Sequence, residues 1–400
     1  MAELIMVGCD LHDKTMLLKT AQGRAEPQTR TVANTAGGRE RMIADLTTEA
    51  AAVGGAKVVF AYEASGLGFG LHDQLTAAGI QCYVLAPTGI ARSATHKRRK
   101  TDERDAEQLL EVLRGHFLAG NKLPAVWIPD PQTRDDRELV RMRLDLSEKI
   151  SALKSQVKSL LKRQGRVRPE SLGQGWNRRF QAWLVGLTYE ETFGAGAQAA
   201  LGSLLEQLKF MEEEQTRFER DRLLPLASSP RYAAAVAELH KLYGVGVLTA
   251  LVFLTEMGDL NRFANRRRLS AYLGLVPTSN ESGECPDRKG HITRQGPSRV
   301  RKALCQAVWS RVRAEGPEHE AYQKLVEKNP KRKKVAIVAM MRRLAVRMWH
   351  KAREAQAAAV ATPSPASCAA EVIQTCAVKP PRRARPRATR RRSGVRAPAG

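Results

Sequence analysis

The sequence predicts an α/β domain built on a mixed sheet, followed by a mostly helical remainder and a basic tail. Three observations predict it. Short apolar runs alternate with helical spacing over residues 1–125. Apolar residues then step by threes and fours through a long charged stretch. The C-terminal residues are rich in Arg and Pro and carry no acid after Lys379.

The elements follow in order. Leu4 to Cys9 is a continuous apolar run of strand length. Met16–Leu18 and Thr29–Val32 read as the next strands, with a turn at Gly23. Arg39 to Ala51 has helical spacing, Lys57–Tyr62 reads as a buried strand, Leu71–Gly79 as a short helix, and Gln81–Leu85 as a fifth strand ending before Pro87. From residue 126 to 225 the pattern changes. Leu139, Met142, Leu146, Ile150, Leu153, Val157 and Leu160 keep heptad spacing, and a second run starts at Leu201. Two long helices of this kind read as an antiparallel hairpin or dimerising coiled coil, or as a plain spacer. Residues 226–355 read as a compact helical domain, and residues 356–400 as a tail too poor in apolar residues to fold alone.

Composition narrows the classes of function. Among 400 residues, 66 Lys and Arg face 41 Asp and Glu, a net charge of +25. Such an excess repels itself unless a polyanion neutralises it, which makes nucleic acid the first partner to consider. Nine of the positive charges lie in residues 379–400. The N-terminus has no basic region before its apolar run, so no signal peptide is expected. The apolar stretch Val245–Met257 is too short to span a bilayer. The six cysteines form no C-x-x-C pair, which argues against a disulfide framework or structural zinc. A cytoplasmic, reducing-compartment protein with no membrane partner is expected.

Four carboxylates carry the chemistry. Asp10 ends the first strand in GCDLHDK and Glu63 ends the fourth in AYEASG. Asp102 and Asp105, in KTDERDAEQLL, share one helix face. Converging carboxylates repel unless cations join them. Hard divalent ions such as Mg²⁺ take oxygen ligands, and a pair of them can clamp both oxygens of a phosphodiester exchange. Singly, each Asp reads as a turn or helix-start residue. In this order they follow the layout of a ribonuclease-H-like nuclease domain.

With these motifs, and with LHKLYGVGVLTALVFLTEMGDLNRF, LSAYLGLVPTSNESGE and GHITRQG, the sequence resembles the DEDD transposases of the insertion-sequence one-ten family, also called bridge recombinases, over residues 4–350. The resemblance implies that the first domain has the fold of a Holliday-junction (RuvC-like) resolvase. It implies that Asp10, Glu63, Asp102 and Asp105 bind metal, as two Mg²⁺ ions. It also implies a nucleophilic serine immediately before a glycine, here Ser282, which would join covalently to a DNA strand. Ser279 is the fallback, because many relatives carry two serines where this chain has Glu281 and Ser282. Donor and target DNA, a structured guide RNA and a homo-oligomer are the implied partners.

Other residues read as nucleic-acid contacts. Gly244 and Gly246 form a glycine turn opening a helix, where backbone N–H groups can hold phosphate; the alternative is a tight turn between packed helices. Lys97, Arg98, Arg99 and Lys100 precede the Asp pair, while Arg266, Arg267, Arg294 and Arg301 flank the serine loop. Phosphate neutralisation favours such clusters, although a solvated charged face is the plain alternative. Two other readings stay open: a metal-dependent junction nuclease that uses water, and a non-catalytic nucleic-acid binder.

Overall fold

The computed structural model describes residues 4–90, 101–279, 289–328 and 330–361. The chain divides into two compact units, residues 1–128 and 129–400.

The first unit is a five-stranded mixed sheet with helices on both faces. Its strands are β1 (Leu4–Leu11), β2 (Thr15–Gln22), β3 (Gln28–Ala33), β4 (Lys57–Glu63) and β5 (Gln81–Leu85), in spatial order β3-β2-β1-β4-β5. β1 runs antiparallel to β2 and parallel to β4, and β4 runs parallel to β5. The helices are α1 (Ala36–Ala52), α2 (Gly70–Ala77) and α3 (Asp102–Ala119). Alternation along β1 assigns its faces. Ile5, Val7 and Cys9 pack with Met42 and Leu46 of α1, whereas Met6 packs with Leu109, Leu110 and Leu113 of α3. A central strand buried on both faces has to be apolar throughout, which is why β1 shows no alternation in sequence.

Among the described residues, the second unit is helical apart from one small hairpin. Its helices are α4 (Pro131–Arg163), α5 (Arg178–Leu187), α6 (Ala195–Phe218), α7 (Leu224–Ala227), α8 (Ala233–His240), α9 (Val247–Met257), α10 (Arg266–Tyr272), α11 (Ser298–Arg313), α12 (Pro317–Lys328) and α13 (Lys333–Ala361). Helix α9 is buried from Ala250 to Met257 and sits in the centre of the core, as a helix apolar on nearly every face must. No described helix is long and apolar enough to cross a membrane.

Helix α4 joins two cores of this unit. Val140 belongs to the core around α9, while Val157, Leu160 and Leu161 pack with Phe180, Leu184 and Leu201. Within the chain α4 lies antiparallel to α6: Arg143 pairs with Glu219, and Lys154 Nζ lies 2.6 Å from Glu212 Oε1. The expected seam shifts at its start, where Val140 is buried and Met142 is 37% exposed. The reason is Arg137, which is buried beside α9 and donates from Nε to Thr255 O (2.7 Å) and from Nη2 to Glu256 O (2.9 Å).

Three local features differ from expectation. Pro277–Ser279, which opens the segment read as the serine loop, forms strand β6, paired antiparallel with β7 (Lys289–Ile292). The register sets Ser279 opposite Lys289. Helix α5 lies between the two long helices read over residues 126–225; the Asn177 side chain caps it by accepting from Phe180 N. Helix α13 continues through Ala361, past the tail boundary expected at residue 356, because alanine sustains a helix. Residues 362–400, the rest of the expected tail, lie outside the described residues.

Candidate active site

Strand alternation puts Asp10 on the same face of β1 as Met6, the face covered by α3. On β4, Val59 and Ala61 also face α3, so Glu63 shares that side. The parallel register sets Cys9 opposite Tyr62, which brings Asp10 and Glu63 level at the carboxyl ends of adjacent central strands. This edge is where open α/β sheets bind ligands.

Helix α3 brings the other two acids. Thr101 caps it by accepting from Arg104 N, and Asp102, Glu103 and Asp105 lie in its first turn. Acids there are stabilised by the free N–H groups of the helix start. Leu109, Leu110 and Leu113 anchor the helix to the sheet, so its N-terminal turn projects to the edge where β1 and β4 end.

One ligand atom from each of Asp10, His12 and Asp102 lies within 4.8 Å of the others. His12 Nε2 is 3.0 Å from Asp10 Oδ2 and 3.5 Å from Asp102 Oδ1. The Asp10 side chain is 15% exposed and that of Asp102 60%. Burial pushes the Asp10 carboxyl above its usual range; His12 pulls it back, and the charges of Asp105 and Asp102 push it up again. Burial is thus the main reason that the fold disfavours the ionised Asp10 carboxylate. Two carboxylates and an imidazole nitrogen form a donor set that suits a divalent cation. Glu63 and Asp105 stand beside this trio without joining it at that distance.

Sequence reasoning missed His12. It sits two residues after Asp10 in GCDLHDK, and strand alternation was the available signal: residues i and i+2 share a face.

The other expected contacts have diverse settings. Ser282 and Lys97, Arg98, Arg99 and Lys100 lie outside the described residues. Gly246 precedes α9 as its N-cap, and Gly244 has φ 77°. A β-carbon on Gly244 would meet Ala307 O at 2.8 Å, so this glycine also allows a close approach to α11. Arg294 takes a left-handed φ of 56°. Arg301 Nη1 donates to Leu273 O, Gln295 O and Gly296 O at 3.2, 3.1 and 3.0 Å, tying the hairpin's neighbourhood to α11. Arg266 and Arg267 are exposed at the start of α10, which Asn265 caps.

The first unit thus gathers carboxylates at one edge of a mixed sheet, and the described part of the second is mostly helical. Residues 7–164 match the family model described as Transposase, of the IS110 DEDD type, and residues 236–324 match that of the Transposase IS116/IS110/IS902 family. The chain belongs to the IS110 family of DEDD transposases. Among its relatives is y4qE of Sinorhizobium fredii, whose name makes it a candidate transposase; it is 35% identical over 63% of this chain and 58% of its own length. A second candidate transposase of that organism, y4rJ, is 29% identical over 70% of this chain and 74% of its own. The transposase for insertion sequence element IS1533 of Leptospira borgpetersenii is 28% identical over 52% and 57%. The chain thus spans less than two thirds of the length of the first and third of these relatives.

Proposed function

We propose that this protein cuts and rejoins DNA strands to move an insertion sequence in the bacterial cytoplasm, where it works on the nucleoid. The observation that carries this reading is the cluster of Asp10, His12 and Asp102, with Asp105 close enough to raise the Asp10 pKa. The strand order β3-β2-β1-β4-β5 supports a ribonuclease-H-like reading of the first unit.

In this reading Asp10, Glu63, Asp102 and Asp105 hold Mg²⁺, as a pair of ions. Bound there, divalent cations would neutralise the carboxylates and polarise a phosphodiester. The protein's own part is preorganisation. The sheet fixes Asp10 and Glu63, α3 delivers Asp102 and Asp105, and His12 holds Asp10 and Asp102 together before substrate arrives. Ser282 is the nucleophile, with Ser279 as fallback: its hydroxyl attacks phosphorus, the DNA 3′ or 5′ oxygen leaves with a proton, and a phosphoserine ester results. Donor and target DNA are the substrates, chosen by a structured guide RNA. The antiparallel α4–α6 pair would serve as a coiled-coil contact in a homo-oligomer. A finer division at residues 126–225, 226–355 and 356–400 then separates that contact, the serine-bearing domain and the basic tail, whose first residues to Ala361 continue α13.

The test is a denaturing gel of protein incubated with labelled donor and target DNA, guide RNA and Mg²⁺. A covalent protein–DNA band is expected, absent from Ser282→Ala, which keeps DNA and RNA binding. Cleavage without any such band would replace serine by water as the nucleophile. Unchanged cleavage by Asp10→Asn would overturn the acid-centred reading.

A further inference from the structure

In the second unit, α10 and α13 wall an open cleft of about 600 Å³. Arg266, Arg267, Arg342, Arg343 and Arg347 line it together with Ser270, and the rest of the lining is aliphatic, Val346 included. The lining contains neither a carboxylate nor an aromatic ring.

Helix periodicity explains the concentration. Met341 and Leu344 are 5% and 3% exposed, so α13 turns that stripe inward and presents Arg342 and Arg343 outward. Fully buried Leu269 does the same for α10, leaving Arg266 and Arg267 exposed.

Ion pairing separates these arginines from others in the unit. Arg141, Arg143, Arg231 and Arg311 each reach a carboxylate, and so does Arg347 at one end of the cleft, with Glu318. Among the described residues, Arg266, Arg267, Arg342 and Arg343 have no ion pair and no side-chain hydrogen bond. Four uncompensated guanidinium groups on one concave surface raise a positive potential that a row of phosphates would neutralise. Unpaired bases would favour aromatic platforms for stacking, and this lining has none, so the chemistry favours the outside of a paired duplex.

The geometry points to this cleft as a binding site for the phosphate backbone of a nucleic-acid duplex. The inference rests on the reading of the chain as a protein that handles DNA, but not on its cleavage chemistry. Duplex DNA and duplex RNA present the same phosphates, and the experiment tells them apart.

The test is fluorescence anisotropy on the full chain in EDTA, across a salt series. The probes are a random-sequence DNA duplex, an RNA duplex of equal length and one separated DNA strand. For Arg342→Gln/Arg343→Gln, the slope of log K against log salt on a duplex should fall by about 1.8, roughly 0.9 for each lost phosphate contact. Arg178→Gln/Arg179→Gln removes the same charge from two adjacent exposed arginines on α5 and should change the slope less. A fall on the DNA or the RNA duplex supports the site and names its ligand. Equal falls for the cleft and control variants, or a fall confined to the separated strand, would overturn it. If melting shows that the α13 variant is unfolded, Arg266→Gln/Arg267→Gln carries the same expectation from the other wall. Asp10→Asn, run in parallel in Mg²⁺ for cleavage, separates the outcomes: lost cleavage with unaltered cleft slopes removes only the cleft.

Discussion

Gly8 of β1 lies against the backbone of α3 at Ala106. A β-carbon on Gly8 would come 2.3 Å from Ala106 O and 2.4 Å from Leu110 N. Both neighbours are backbone atoms of a helix anchored by three leucines, so neither can move alone. This contact lets α3 approach β1 closely enough for Asp102 to reach His12.

Gly8→Ala should therefore lower stability by about 1–3 kcal/mol, the usual range for overpacking. It should also reduce the proposed strand cleavage, although every acid is retained. Urea melts and a cleavage assay check both. A stable variant with full activity would show that the approach of α3 is not required.

Asp10→Asn should separate stability from activity. The folded pKa of Asp10 is raised by burial, so its favourable contribution belongs to the protonated form, present below the unfolded value and lost as pH rises through the folded one. At pH 7 the ionised carboxylate is a burden on the fold. Replacing it should raise Tm by a few °C at pH 7, with the gain shrinking towards pH 3, while cleavage is lost. Calorimetry without divalent metal, at both pH values, checks the sign; a lower Tm at pH 7 would contradict it.

Arg137 closes the end of α9 by donating to two carbonyls that the helix itself leaves free. Arg137→Met should cost about 2–4 kcal/mol, since two buried acceptors lose their donors. Arg137→Lys should recover only part of this, because an ammonium lacks the planar fork. Equilibrium unfolding of the three proteins measures the order.

Asp130 caps α4 and sets an acid limit. Burial raises its pKa, but hydrogen bonds from Thr133 and Arg231 outweigh that and hold it at about 2. A depressed folded pKa means stability present above the unfolded value and lost as pH falls from about 4 towards 2. Asp130→Asn keeps a cap and removes the ion pair with Arg231 (3.0 Å), so its unfolding curve should be flatter across that window. Identical acid profiles would exclude the pair as a contributor.

Much of the sheet was legible in sequence because buried central strands leave unbroken apolar runs, as at Leu4–Cys9 and Lys57–Tyr62. Asp10, Glu63, Asp102 and Asp105 were legible as strand-end and helix-start acids. His12 was not, because its role depends on α3 arriving from residues far along the chain. The shifted seam of α4 was hidden for a related reason. Arg137 reads as surface, and only the free carbonyls of α9 make it worth burying. The cleft arginines on α13 lie far in sequence from those on α10, so no local pattern joins them.

The contact between Gly8 and Ala106 also fixes the rotational phase of α3. Each residue advances an α-helix by about 100°. One residue inserted between Asp105 and Ala106 would leave the leucines seated on the sheet and swing both aspartates around the helix axis, away from Asp10. Residues added before Thr101 would leave that phase untouched. Length variation in this family should therefore be tolerated upstream of Thr101 and excluded between Asp102 and Ala106.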